Sequence, residues 1–177
     1  MEEKLHILIS GERGVGKSTL IEKLLSACPR PRYGFITKML PPDEAGFHPI
    51  YIHPAGRPVS ERVYTEENCI GVCDSRTHRV NLAAFNTLGV RYIREARPGG
   101  IIVMDELGFF EAQAEDFTAA VLEALAGDIP VIAAVKSRTD VAFLNEVRAQ
   151  PRGSVFSLTP ENRDALYEAL LPRVRQL

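Results

Sequence analysis

The sequence predicts an α/β fold: a mostly parallel sheet with helices on both faces and an antiparallel β-hairpin region inserted into it. Three observations carry that reading. The apolar run Leu5-His6-Ile7-Leu8-Ile9 leads into Gly11-Glu12-Arg13-Gly14-Val15-Gly16-Lys17-Ser18, which satisfies G-x-x-x-x-G-K-[ST], and a helical pattern leaves it. Ile101-Ile102-Val103-Met104 is a continuous apolar run, as central parallel strands show when both faces are covered. Strand-like and helix-like segments then alternate to the last residues.

In chain order, the first strand ends in a Walker A phosphate-binding loop. Gly11, Gly14 and Gly16 free the backbone to aim several N–H groups at one anion, which a Cβ would obstruct. The helix that begins near Lys17 adds the positive end of its dipole. Lys17 adds a full charge that follows the β- and γ-phosphates, and the Ser18 hydroxyl is placed for Mg²⁺. Thr19 continues the helix, with Leu20, Ile21, Leu24 and Leu25 on its apolar face until Cys28-Pro29-Arg30-Pro31 stops it. The implied ligand is a nucleoside triphosphate with magnesium.

Tyr33 to Met39 reads as the next strand. From 40 to 80 helical periodicity is lost, and turn signals at Pro41-Pro42-Asp43, Ala45-Gly46 and Pro54-Ala55-Gly56 separate short runs at Phe47 to Ile52 and Arg62 to Tyr64. This is the hairpin insert, either packing material or a flap near the nucleotide, with Arg76 and Arg79 its most informative side chains. Asn81 is a cap for a helix to about Ala96, with Leu82, Phe85, Tyr92 and Ile93 inward and Pro98-Gly99-Gly100 as its stop.

The apolar run from Ile101 ends in Asp105-Glu106, a Walker B pattern in which the aspartate holds Mg²⁺ beside the loop Ser/Thr. Ligands of open α/β sheets collect at that edge of the strands. Glu106 points differently from Asp105 and is the candidate to accept a proton from attacking water. Beyond it, Phe117, Val121, Ala124 and Leu125 form a helix face closed by Gly127, and Pro130 to Val135 is a strand. Val141, Leu144, Asn145 and Val147 mark a short helix and Ser154 to Leu158 a strand. Thr159-Pro160-Glu161 then opens the last helix with a cap and a first-position proline, and Ala165, Leu166, Ala169 and Leu170 are its apolar face.

With 177 residues, 45% of them hydrophobic, the chain makes one domain, 1–177. Lys and Arg number 21 against 23 Asp and Glu, for a net charge of -2, which gives no nucleic-acid footprint and no polybasic membrane surface. Met1-Glu2-Glu3-Lys4 is unlike a targeting peptide, and no apolar run approaches membrane length, so a cytoplasmic monomer is expected. Cys28, Cys69 and Cys73 are expected as reduced thiols rather than a disulfide framework or, with His78, a metal site.

Nearly end to end, these residues resemble the small P-loop nucleoside triphosphatases first described from thermophiles, which include the human cancer-related nucleoside triphosphatase. The matching motifs are Gly14-Val15-Gly16-Lys17-Ser18-Thr19, Gly34-Phe35-Ile36-Thr37, Gly46-Phe47, Val80 to Phe85, Asp105-Glu106-Leu107-Gly108 with Glu111, and Asn162-Arg163-Asp164. The resemblance implies a RecA-like P-loop fold that hydrolyses ATP, GTP and other nucleoside triphosphates with magnesium. It sets the nucleotide against Gly11 to Thr19 and Asp105 to Gly108, with Lys17 and Glu106 catalytic. Arg163 and Arg138, at the ligand edge of the sheet, are candidates for an arginine finger or a base contact. Phe109-Phe110 depart from the family pattern.

Two other functions share the loop. A small-molecule or nucleotide kinase needs an acceptor pocket, which the hairpin insert can form, although the Asp105-Glu106 pair favours water as nucleophile. A nucleotide-dependent switch needs a partner surface, and Phe109 and Phe110 would be its signature if exposed, or core if buried.

Overall fold

The computed structural model describes residues 4–177; the acidic opening read from Met1 to Glu3 lies outside the described residues. Eight strands form a single sheet in the order β5-β4-β3-β2-β6-β7-β1-β8. The chain runs β1 (His6–Gly11), α1 (Lys17–Leu25), β2 (Arg32–Met39), β3 (His48–Pro54), β4 (Cys69–Cys73) and β5 (His78–Val80). Then come α2 (Leu82–Ala84), α3 (Val90–Arg94), β6 (Ile101–Leu107), α4 (Glu115–Ala126), β7 (Val131–Lys136), α5 (Ala142–Arg148), β8 (Gly153–Ser157) and α6 (Arg163–Gln176).

β2, β6, β7, β1 and β8 are mutually parallel, whereas β3, β4 and β5 extend the sheet beyond β2 as antiparallel hairpins. The expected α/β fold and its inserted hairpin region are therefore both present. β7 lies between the strand entering the phosphate loop and the strand bearing Asp105. The two motifs thus sit at the same edge of the sheet, one strand apart.

Strand residues alternate between two cores, as a pleat covered on both faces requires. Ile7, Ile9, Ile101 and Val103 pack under α1 and α6, while Leu8, Ile102 and Met104 pack under α2 to α5. Phe117 centres the second core, with its ring 5.3 Å from Phe35 and 5.2 Å from Phe85. Burying such rings contributes about 1.5–3 kcal/mol each. At Gly34, φ is +84° and an added Cβ would lie 2.1 Å from the Val103 carbonyl oxygen, so only glycine fits where β2 crosses β6.

Four local expectations change. The helix after Asn81 is interrupted by a π-helical segment, Phe85–Gly89, between α2 and α3; Asn81 does cap it, accepting from Ala84 N at 3.1 Å. Arg62 to Tyr64 forms no strand, because Tyr64 instead packs edge-on against Tyr51 and His53. Thr159-Pro160-Glu161 is a turn rather than the first turn of α6. Asn162 holds it, accepting from Thr159 N at 2.9 Å and donating to Ser157 O at 2.8 Å. Ala165 and Ala169 are exposed, and the buried stripe of α6 is Leu170 and Val174 with Leu166 and Tyr167 beside it.

Candidate active site

The loop from Gly11 to Gly16 folds around the ammonium group of Lys17. That side chain is 4% exposed and donates to Gly11 O and Glu12 O, each at 2.9 Å, and its Nζ lies 3.0 Å from Glu106 Oε2. Gly16 takes a left-handed φ of 102° as the residue before α1 and offers no side-chain cap. The first N–H groups of α1 are therefore left for a ligand. Ser137 ties the loop from β7, donating to Glu12 Oε1 at 2.9 Å.

β6 delivers the second half. Ser18 Oγ donates to Asp105 Oδ1 at 2.8 Å, and Thr37 Oγ1 donates to the Asp105 carbonyl at 3.2 Å. Burial pushes the Asp105 carboxyl up to about 6, against the pull of the Ser18 hydrogen bond, with the neighbouring Glu106 charge adding to the rise. Glu106 stands between two ammonium groups, 3.0 Å from Lys17 and 3.5 Å from Lys136. The two carboxylates meet different partners, one a hydroxyl and one a pair of lysines.

Behind this edge lies Glu111, 3% exposed, which accepts a hydrogen bond from Gly108 N. Burial pushes its carboxyl up to about 7, although the backbone N–H donors of Gly108 and Glu111 itself and the charge of Lys136 pull the other way. Leu107 is wholly buried in the core, so a ligand can meet only its backbone. Arg138 is paired with Asp140 on the surface and stacks 4.8 Å from the centre of the Phe109 ring. Arg163 stays at the site: a Cβ built on Gly16 would lie 3.7 Å from its Nε.

Two hollows flank the loop beside a larger one of about 640 Å³, which Ser18 and Asp105 share with Glu22, Arg32, Arg57 and Arg62. One of about 370 Å³ lies between α1 and α6, with Gly16, Thr19, Lys23, Arg163 and Tyr167 among its walls. The other, of about 400 Å³, reaches from Ser18, Asp105 and Glu106 to the turn between β4 and β5. Phe109 and Phe110 are neither free nor core. They are partly buried walls of the second hollow, 5.3 and 5.1 Å from the His78 ring.

A family model described as NTPase (NTPase_1) matches residues 6–171. The chain belongs to this NTPase family. It is similar to the nucleoside-triphosphatase THEP1 of Aquifex aeolicus, 29% identical over 94% of this chain and 97% of the relative. The cancer-related nucleoside-triphosphatase homolog of Bos taurus is 30% identical over 96% of each. The crystal structure of THEP1 from Aquifex aeolicus superposes with a TM-score of 0.70 over 96% of this chain, at 24% identity. The solution structure of the human cancer-related nucleoside triphosphatase gives 0.67 over 97%. These likenesses confirm the family resemblance and the P-loop fold drawn from the sequence.

Lys136 and Glu111 were not among the site residues expected from sequence. Lys136 ends an ordinary apolar strand, and only the pairing of β7 with β6 carries it to Glu106. Glu111 stood within the family motif without a role; its signal was an acid between Phe110 and Ala112, in a segment otherwise suited to burial.

Proposed function

We propose that this member of the NTPase family is a magnesium-dependent nucleoside triphosphatase, acting on ATP, GTP and related triphosphates as a cytoplasmic monomer. The observation that carries the reading is the convergence of Lys17, Ser18, Asp105 and Glu106 on one strand edge, within 3.0 Å links. Three free cysteines fit a reducing compartment.

The donor set fits magnesium. Ser18 Oγ and Asp105 Oδ1 are hard oxygens already turned on one another, and the burial that raises the Asp105 carboxyl is relieved by a cation. Among the described residues no cluster of three or more His, Cys, Asp or Glu is suited to a metal, which leaves the remaining positions to phosphate oxygens and water, as the small octahedral ion prefers. When bound, magnesium neutralises charge on the β- and γ-phosphates.

The rest follows from the chain's own groups. The N–H groups of the Gly11 to Thr19 segment hold the phosphates, and Arg163 lies at the α1/α6 hollow that suits the base. The backbone from Asp105 to Gly108 borders the terminal phosphate. Lys17 exchanges its two loop carbonyls for phosphate oxygens, which separates it from Glu106. Glu106, still beside Lys136, then takes the proton of a water whose oxygen attacks the γ-phosphorus as the bond to the β–γ bridging oxygen breaks. Stabilisation of charge by fixed donors does most of the catalysis.

Glu106→Gln tests the assignment with almost no change of shape. Phosphate release should fall about a hundredfold or more, the scale of a positioned general base, while triphosphate affinity holds or rises. Turnover near the wild-type rate would remove Glu106 from the mechanism.

A further inference from the structure

We propose that the 400 Å³ hollow between the Asp105–Glu106 edge and the hairpin region binds a second small molecule, an aromatic alcohol, with its hydroxyl beside the terminal phosphate. The protein then passes the phosphoryl group to an organic acceptor as well as to water. The proposal rests on the reading above, in which the triphosphate's terminal phosphate lies at Ser18 and Asp105.

Hydrolysis needs room for one water, roughly 30 Å³ of liquid volume. The hollow is an order of magnitude larger, so that with the terminal phosphate at its Ser18 and Asp105 end the part toward β4 and β5 still exceeds what one water needs. It is continuous with the reaction centre, since Ser18, Asp105 and Glu106 form part of its lining.

Its walls select the ligand. Phe109 and Phe110 lie 4.6 Å apart, and His78 from β5 meets both edge-on. Ile50 and Ile70 from β3 and β4 add an apolar surface. A planar ring gains from such an arrangement both burial and offset or edge-on ring contacts. The end beside the phosphate carries the Asp105 and Glu106 carboxylates. Lys136 and Arg13 balance these carboxylates in the same lining, and a hydroxyl set beside Glu106 can give it its proton.

The step balances. The alcohol oxygen bonds to the γ-phosphorus, the bond from phosphorus to the β–γ bridging oxygen breaks, the nucleoside diphosphate leaves with those electrons, and the hydroxyl proton passes to Glu106. No oxidant or further reactant is required.

The test uses the full chain with magnesium and ATP labelled at its γ-phosphate. Acceptors are the four ribonucleosides, hydroxymethylpyridine and hydroxymethylpyrimidine, with nucleoside monophosphates alongside. We expect at least one alcohol to take up label. Cys73→Trp, which fills the hollow from β4, should lower the ratio of phosphorylated alcohol to free phosphate about tenfold; if that variant does not fold, His78→Ala should raise the KM for the alcohol about tenfold, the scale of lost ring contacts. Label appearing only as free phosphate with every alcohol, or only on the phosphate of the monophosphates, overturns the proposal. If neither free phosphate nor any acceptor takes up label, the phosphate-site reading has failed, and calorimetric titration of the same alcohols into nucleotide-free protein decides the hollow by itself. Saturable binding removed by Cys73→Trp upholds the site, and no binding by any of them overturns it.

Discussion

Asp105→Asn should make the nucleotide-free protein more stable at neutral pH while disabling it. The folded structure raises the Asp105 carboxyl from its ordinary value of 3.8 to about 6, chiefly by burial. A shift of one pK unit is about 1.4 kcal/mol, so two units set an upper figure of about 3 kcal/mol. The side chain is partly exposed, and solvent screening brings the expected gain to about 1–2 kcal/mol. The sign follows from linkage. A carboxyl whose folded pKa lies above its unfolded pKa carries a cost to folding that is complete above the folded value, fades as the pH falls, and is gone below the unfolded value. The asparagine can still accept from Ser18 Oγ, so the gain is not offset by a lost hydrogen bond. Urea denaturation of both proteins at about pH 7.5 and about pH 3.5 measures it: the variant should lead at the first and match the wild type at the second. Magnesium-dependent protection by triphosphate in a thermal melt should disappear at the same time. Equal or lower stability at neutral pH, or a gain of the same size in acid, would refute the reasoning.

Lys17→Ala should weaken triphosphate binding far more than monophosphate binding in calorimetry, because the lost charge serves the outer phosphates; equal losses would count against that placement. Glu111→Ala leaves Gly108 N without its acceptor inside the protein and should cost about 1–3 kcal/mol in urea melts at about pH 5, where burial keeps the folded carboxyl protonated, and less above pH 7, where loss of the buried charge offsets it, with phosphate release impaired as the strand end loosens. His6 is fully buried, accepts from Val131 N at 3.2 Å and has its imidazole pushed down to about 4, chiefly by burial. Because the unfolded chain takes up that proton first, stability should fall by about 3 kcal/mol between about pH 6.5 and about pH 4 from this residue alone. In His6→Asn the denaturation midpoint should change less with pH across that window, and an unchanged slope would exclude His6 as the cause.

The parallel half of the sheet could be read in the sequence because periodicity is a statement about burial. Ile101 to Met104 is apolar at every position, and the structure buries both faces of that strand, so pattern and environment coincide. The failures come from particular side-chain contacts that override a composition-based expectation. Asn162 replaces a helical first turn by bonding across to Ser157 and Thr159, although Thr159-Pro160 has the composition of a helix start. Tyr64 leaves no strand around it because its ring is drawn to Tyr51 and His53.

The site shows the same division more sharply. Contiguous motifs announced Lys17, Ser18, Asp105 and Glu106, since their chemistry requires fixed spacing along one loop or one strand end. Lys136 has no motif. Its place 3.5 Å from Glu106 is a product of strand order, β7 pairing with β6 on one side and β1 on the other. That order has a chemical effect: the strand that separates the two motifs also supplies a second ammonium group to the carboxylate between them. In the proposed reaction Lys17 turns to the phosphates and Lys136 remains the counter-charge of Glu106; at a few ångströms near a protein surface that contact is worth up to about 4 kcal/mol of direct attraction. The sequence pattern names the proposed base, but only the sheet shows the second ammonium group beside it.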